Sequence, residues 1–149
     1  MSTKQAVFQL NGEQYGIDIT DVNTIEKDLV IKKMVNSPDN VKGKVNLRSN
    51  EIPVYSLRRK FGIEDKKQDM STRFLIIEVD GIDVAFEVDH VKGILDLVAS
   101  DIFDVPSVIK CKDTSYIKSI ASSGDGLILL LDRDFLLDDN EIKALQPNS

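Results

Sequence analysis

Apolar and polar residues alternate with a period of two in the chain's first hairpin-like stretch and again in its second half, the pattern of half-buried β-strands. The first alternating run, Gln5–Leu10, closes on Asn11-Gly12 and is answered by Glu13–Ile19. Asn-Gly between such runs predicts a two-residue hairpin turn. That turn sets Leu10 opposite Glu13, Phe8 opposite Tyr15 and Ala6 opposite Ile17. Phe8, Leu10, Tyr15, Ile17 and Ile19 then share a core face, with Val7 pointing the other way. The pattern returns in the second half, where Phe8–Ile19 can be laid on Ile77–Val88. Leu10 meets Val79, Asn11-Gly12 meets Asp80-Gly81, Tyr15 meets Val84 and Ile19 meets Val88; Val22 then meets Val91 and Ile25 meets Ile94, all without a gap. This is the mark of a duplicated β unit.

A second hairpin is predicted between Val41 and Gly62. Val41–Val45 holds a glycine, Gly43, inside a strand-like run, followed by Asn46-Leu47-Arg48 and a polar turn at Ser49-Asn50-Glu51. Ile52–Tyr55 is the answering run and leads into a helix-like Ser56–Gly62. Pro53 lacks an N–H for a ladder bond, which places its run on an edge strand, at a strand start or at a bulge. An apolar edge strand invites a partner to cover it. Tyr116–Ala121, the turn Gly124-Asp125-Gly126 and Leu127–Leu131 stand opposite this stretch in the second half.

Between the two hairpins, Asp21–Met34 has no single period. Val22 and Ile25 are spaced as on a helical turn, whereas Leu29-Val30-Ile31 reads as a buried strand. Glu64–Asp69 is a polar run of both signs and marks the best boundary. Ile142 and Leu145 keep helical spacing behind acidic residues suited to a first turn. The expected architecture is all-β with short helical segments, one at the C-terminus. Residues 1–149 form one domain of two subdomains, approximately 1–67 and 68–149, with strand exchange between them left open. Each has about 70 residues, too few for comfortable independent stability, so the two should share an interface core.

Composition narrows the function. Aromatics make up 6% of 149 residues, so Val, Ile and Leu must fill most of the core. The net charge of −6 repels phosphate backbones and anionic membranes and argues against nucleic acid. No apolar run approaches the ~18 residues of a membrane span, and MSTKQ lacks a signal-peptide segment, so no membrane insertion and a cytoplasmic location are expected. Cys111 is the single cysteine and His90 the single histidine. A multi-cysteine metal site, a histidine-rich one and an internal disulfide are excluded. A surface or turn position suits His90, and Cys111 reads as an incidental thiol. The carboxylates have no calcium-loop spacing, and neither Walker nor dinucleotide glycine patterns occur. No cofactor, metal or catalytic chemistry is expected.

The order Gly43, Val45, Asn46-Leu47-Arg48-Ser49, Ile52-Pro53-Val54, Leu57-Arg58-Arg59 resembles the central signature of the CheW-type bacterial chemotaxis coupling proteins. Phe86–Asp89 with Val91 and Gly93-Ile94 is similar to that family's second signature, and Tyr116-Ile117-Lys118 with Leu127–Asp132 to its third. The resemblance runs from Gln5 to Leu145. Ser49 departs from it, standing where glycine is usual; glycine permits φ > 0 after the arginine, so serine points to another turn type.

The resemblance implies two small SH3-like β-barrels packed together. It also implies a non-catalytic adaptor joining the cytoplasmic tips of chemoreceptors to the regulatory domain of a histidine kinase. One barrel would pack on the kinase's similar barrel, and a groove between the barrels would take the receptor helix. The positions carried over as receptor- or kinase-binding are Val22, Ile25, Val41, Gly43, Asn46, Leu47, Arg48 and Ile52. Taken alone, Val22 and Ile25 read as core packing and Arg48 as a local salt bridge to Glu51 or another carboxylate. The competing reading is a small-ligand-binding or enzymatic β-barrel, which would need a deep polar pocket with a perturbed ionisable group.

Overall fold

The computed structural model describes residues 2–105, 115–124 and 126–146. Strands β1 (Ser2–Leu10) and β2 (Glu13–Asp18) form the first hairpin in the expected register, Leu10 to Glu13 through Ala6 to Ile17. Asn11 at φ 53° and Gly12 at φ 84° make a turn with both central residues left-handed, whose twist matches that of the strands. A 3-10 turn, Ile19–Asp21, follows, capped by the Asp18 carboxylate, and leads into β3 (Val22–Glu26). Then come β4 (Val41–Leu47), β5 (Asn50–Ser56) and the single-turn helix α1 (Leu57–Lys60), whose cap is Ser56 accepting from the Arg59 N–H at 3.1 Å. The second half supplies β6 (Arg73–Val79), β7 (Ile82–Val88), β8 (His90–Val98), β9 (Ile102–Asp104), β10 (Ile117–Ser123) and β11 (Gly126–Leu131). A 3-10 turn, Arg133–Phe135, and helix α2 (Asp139–Leu145) complete the described chain.

The strands form a six-stranded sheet in the order β8-β1-β2-β11-β10-β9 and a five-stranded sheet in the order β3-β6-β7-β5-β4. Each sheet takes strands from both halves of the chain. After its hairpin, β3 crosses to pair with β6, and after the equivalent hairpin β8 crosses back to pair with β1. The exchange is reciprocal to the residue. Val22 faces Ile77 as Val91 faces Phe8; a bulge follows in both, so that Thr24 faces Ile76 as Gly93 faces Val7. The parallel closures also correspond: Val54 beside Ala85 in one sheet and Leu130 beside Gly16 in the other.

Three apolar clusters follow from this layout. The largest lies between the sheets and includes Phe8, Tyr15, Ile17, Tyr55, Leu75, Ile77, Phe86 and Leu131. Val45, Ile52, Val54, Phe74, Ile76 and Ala85 fill the curl of the five-stranded sheet; Val7, Leu97, Ala121, Ile128 and Leu130 fill that of the six-stranded one. Val7, directed away from the shared face, is therefore as buried as Phe8. The fold is the expected all-β pair of small barrels with short helices.

Four local expectations need correction. Leu29-Val30-Ile31 is not a buried strand: none of the three lies in a strand, and Val30 is 79% exposed. The three-residue spacing of Val22 and Ile25 is not helical: the β3 bulge restores both to one face, opposite Ile77 and Leu75. Pro53 is not on an edge strand, because β5 lies between β7 and β4. Its missing N–H is tolerated because the pairing of β5 with β7 begins only at Val54. The polar turn is Arg48-Ser49, with Leu47 paired to Asn50, and Ser49 adopts φ 71° despite its side chain.

Candidate functional site

The β4–β5 hairpin presents the site. Arg48 at φ 51° and Ser49 at φ 71° build a tight turn of the same kind as Asn11-Gly12. The turn carries Arg48 into solvent, its side chain 69% exposed, with Nη2 3.4 Å from the Glu26 carboxylate. Glu26 ends β3, so this ion pair joins the outer strands of the five-stranded sheet. Arg48 thus does have a local carboxylate, but Glu26 rather than Glu51, which pairs with Lys44. A 3.4 Å contact made by so exposed a guanidinium leaves its fork largely available and contributes under about 1 kcal/mol.

Ile25, beside Glu26, is 38% exposed, whereas Val22 is half-buried against the central cluster. Asn46 is exposed and Leu47 half-buried against the barrel interior. Ile25, Asn46 and Arg48 therefore offer side chains to solvent. Val41 and Ile52, at 2% and 5% exposure, belong to the interior beneath them. Gly43 acts through its backbone. Lys32 exchanges two backbone hydrogen bonds with Lys44, and a Cβ on Gly43 would lie 2.1 Å from the Lys32 carbonyl oxygen. The glycine lets the connection between β3 and β4 close over the sheet edge.

Several supporting residues carry no partner signal in the sequence. Arg58 grips Asp89 with two bonds of 2.7 and 2.6 Å, while Asp89 accepts the Asn11 N–H at 2.9 Å. Burial would raise the Asp89 pKa, but the guanidinium and the Asn11 N–H outweigh it and hold the carboxyl below its usual range. Arg59 likewise binds Asp65, and Lys42 binds Glu87 at 2.8 Å. The basic run of α1 therefore ties that helix to its surroundings. Just before α1, at the same end of β5, the buried Tyr55 hydroxyl donates to Glu141 of α2 at 2.8 Å, and Asn40 donates to the same carboxylate at 3.1 Å. Burial, reinforced by Glu141, drives the Tyr55 phenol well above its ordinary pKa. An acid at the third helical position, reading as part of a capping box, was the available signal for Glu141.

Catalytic chemistry has little to work with. Among the described residues no group of His, Cys, Asp and Glu could hold a metal ion. His90 is exposed; Cys111 lies outside the described residues. The cleft between β5 and the β6–β7 turn, about 660 Å³, is lined by Asn50, Pro53, Asp80, Ile82, Asp83 and Leu145 and pairs no nucleophile with a base.

A family model described as the CheW-like domain matches residues 5–141. The chain belongs to the CheW-like family. It is 31% identical over 136 residues to the chemotaxis protein CheW of Klebsiella aerogenes, covering 91% of this chain and 82% of that one. To the chemotaxis protein CheW of Bacillus subtilis it is 28% identical over 146 residues, covering 97% and 93%. The crystal structure of the scaffolding protein TtCheW from Thermoanaerobacter tengcongensis superposes with a TM-score of 0.84 at 33% identity, covering 95% of this chain and 96% of that one. As a CheW-like chain, this protein is a non-catalytic chemotaxis adaptor that works by binding other chemotaxis proteins. Among the described residues no helix is long and apolar enough to cross a membrane.

Proposed function

We propose that this CheW-like chain couples the cytoplasmic tip of a chemoreceptor to the regulatory domain of a chemotaxis histidine kinase, in the cytoplasm. The observation that carries the reading is the exposed Arg48 on a tight turn, with Ile25 on β3 and Asn46 on β4 also open to solvent. An apolar side chain beside a planar cation is the composition of a protein-binding hot spot. Arg48 and Asn46 on the β4–β5 side engage the kinase's own barrel. Ile25, with Val22 beneath it, receives the receptor helix. Val41, Gly43, Leu47 and Ile52 serve by holding the hairpin in shape. Assembly is the test. The purified chain, mixed with a kinase regulatory domain and a receptor tip fragment, should co-elute with both in one complex. Failure to bring the two together, with each partner folded, overturns the coupling role.

A further inference from the structure

The internal repeat lays the base of the β4–β5 hairpin on that of the β10–β11 hairpin, and each base is closed from the chain that leaves the other. In the first, the Asn40 carbonyl accepts the Ser56 N–H at 2.8 Å; in the second, the Tyr116 carbonyl accepts the Asp132 N–H at 2.8 Å. Val54 lies beside Ala85 as Leu130 lies beside Gly16, so Tyr55 corresponds to Leu131 and Asn40 to Tyr116. Phe61, which ends α1, stacks on Tyr116 with ring centroids 4.7 Å apart. In return α2, which follows β11, sends Glu141 to Asn40 and Tyr55. One base is closed by stacked rings and the other by a carboxylate.

From this exchange we infer, resting on the coupling role proposed for Arg48, that Glu141 is a positioning residue for that site: from α2 it fixes the aim of the β4–β5 hairpin. Glu141 is 8% exposed and holds both legs of the hairpin at once. Asn40, immediately before β4, donates to its Oε2 at 3.1 Å, and Tyr55, near the end of β5, donates to the same oxygen at 2.8 Å. The Asp138 N–H donates to Oε1 at 3.0 Å, so the capping box fixes the carboxylate on its own helix. Ile142 and Leu145 anchor that helix against the central cluster. The hairpin depends on such a hold because its ladder support lies at its base. β5 pairs with β7 only from Val54 to Ser56, and β4 is the outer strand of its sheet. Between Val54 and the tip the two strands pair with each other, apart from the single bridge of Lys44 to Lys32. Val45 and Ile52 rest on the barrel interior, a non-directional contact that permits tilting. Arg48 adds only its 3.4 Å contact to Glu26. From Val41 to Leu47 the strand spans about 20 Å, so a tilt of about 5° at the base moves the tip by about 2 Å. A binding constellation has to be held within about 0.5 Å.

Two variants separate holding the hairpin from stabilising the fold. Glu141→Leu combined with Tyr55→Phe replaces both buried partners with apolar groups of similar size, which strands no hydroxyl and is close to neutral for stability. It also removes the acceptor that holds Asn40. Glu141→Gln keeps the bonds, because the Asn40 amide can turn over to present its oxygen. Amide hydrogen exchange of the full chain, and its affinity for the kinase regulatory domain, are measured for both variants well below their melting temperatures. In the double variant, exchange from Val45 to Ile52 should quicken at least about fivefold and kinase affinity should fall at least about fivefold, with exchange in β10 and β11 unchanged. Glu141→Gln should match the unaltered chain in both. Unchanged hairpin exchange in the double variant overturns the inference, as does faster exchange with full affinity. Should the double variant fail to fold, Asn40→Ala cuts one leg free at a half-buried position and carries the same two expectations. If the unaltered chain does not bind the kinase domain, the coupling role fails, and hairpin exchange alone decides whether Glu141 holds the hairpin.

Discussion

Arg58 holds Asp89 through two parallel bonds of 2.7 and 2.6 Å, with both side chains only 13% exposed. The pair fastens α1, after β5, to the junction of β7 and β8, and through the Asn11 N–H to the first hairpin. Neither charge can be removed without stranding the other away from water.

The pair sets an acid limit. The Asp89 pKa is lowered in the folded state, so its contribution is present above the unfolded carboxylate pKa and lost as pH falls through the folded one. Stability should decline on the acid side below about pH 4. In Asp89→Asn that decline should be shallower, read from melting temperatures across pH; an identical slope would remove Asp89 from the account.

Ser49 sits at φ 71°, where a Cβ is penalised by about 1 kcal/mol. Ser49→Gly should stabilise by about that amount, raising the melting temperature by about 3 °C, without moving Arg48. A fall in melting temperature would show that the serine side chain compensates for its backbone.

Much of this fold is legible in the residues because turn chemistry sets register. Asn11-Gly12 and Asp80-Gly81 each admit one tight turn, and the pairings Leu10 to Glu13 and Val79 to Ile82 follow. What period-two alternation does not encode is which neighbour a strand takes. The reciprocal crossing of β3 and β8 was open for that reason. A bulge disguised Val22 and Ile25 as a helical pair, since one extra residue turns a spacing of three into a same-face spacing. Pro53 suggested an edge, although a parallel neighbour that starts one residue later tolerates it equally well. At the site, the motif located Arg48 but not Glu26, because a partner 22 residues away is brought there only by sheet closure.

Because each sheet borrows strands from both halves, neither half has a complete sheet of its own. The intact chain should unfold in a single thermal transition. Fragments 1–67 and 68–149, expressed separately, should lack cooperative transitions. Two resolved transitions in the intact protein would contradict this.

Ile25→Asp puts a charge on a partly exposed edge residue. Folding should persist, and affinity for a receptor tip fragment should fall more than affinity for the kinase domain. Unfolding of the variant would make Ile25 a core residue instead.

Arg48 is the most direct probe of the coupling role. Arg48→Asp removes only a 3.4 Å surface ion pair, so thermal unfolding should change by no more than about 0.5 kcal/mol. Titration of the same variant against the kinase regulatory domain should show a loss of about 2 kcal/mol or more. Kinase binding equal to that of the unaltered chain, with the fold intact, would contradict the account.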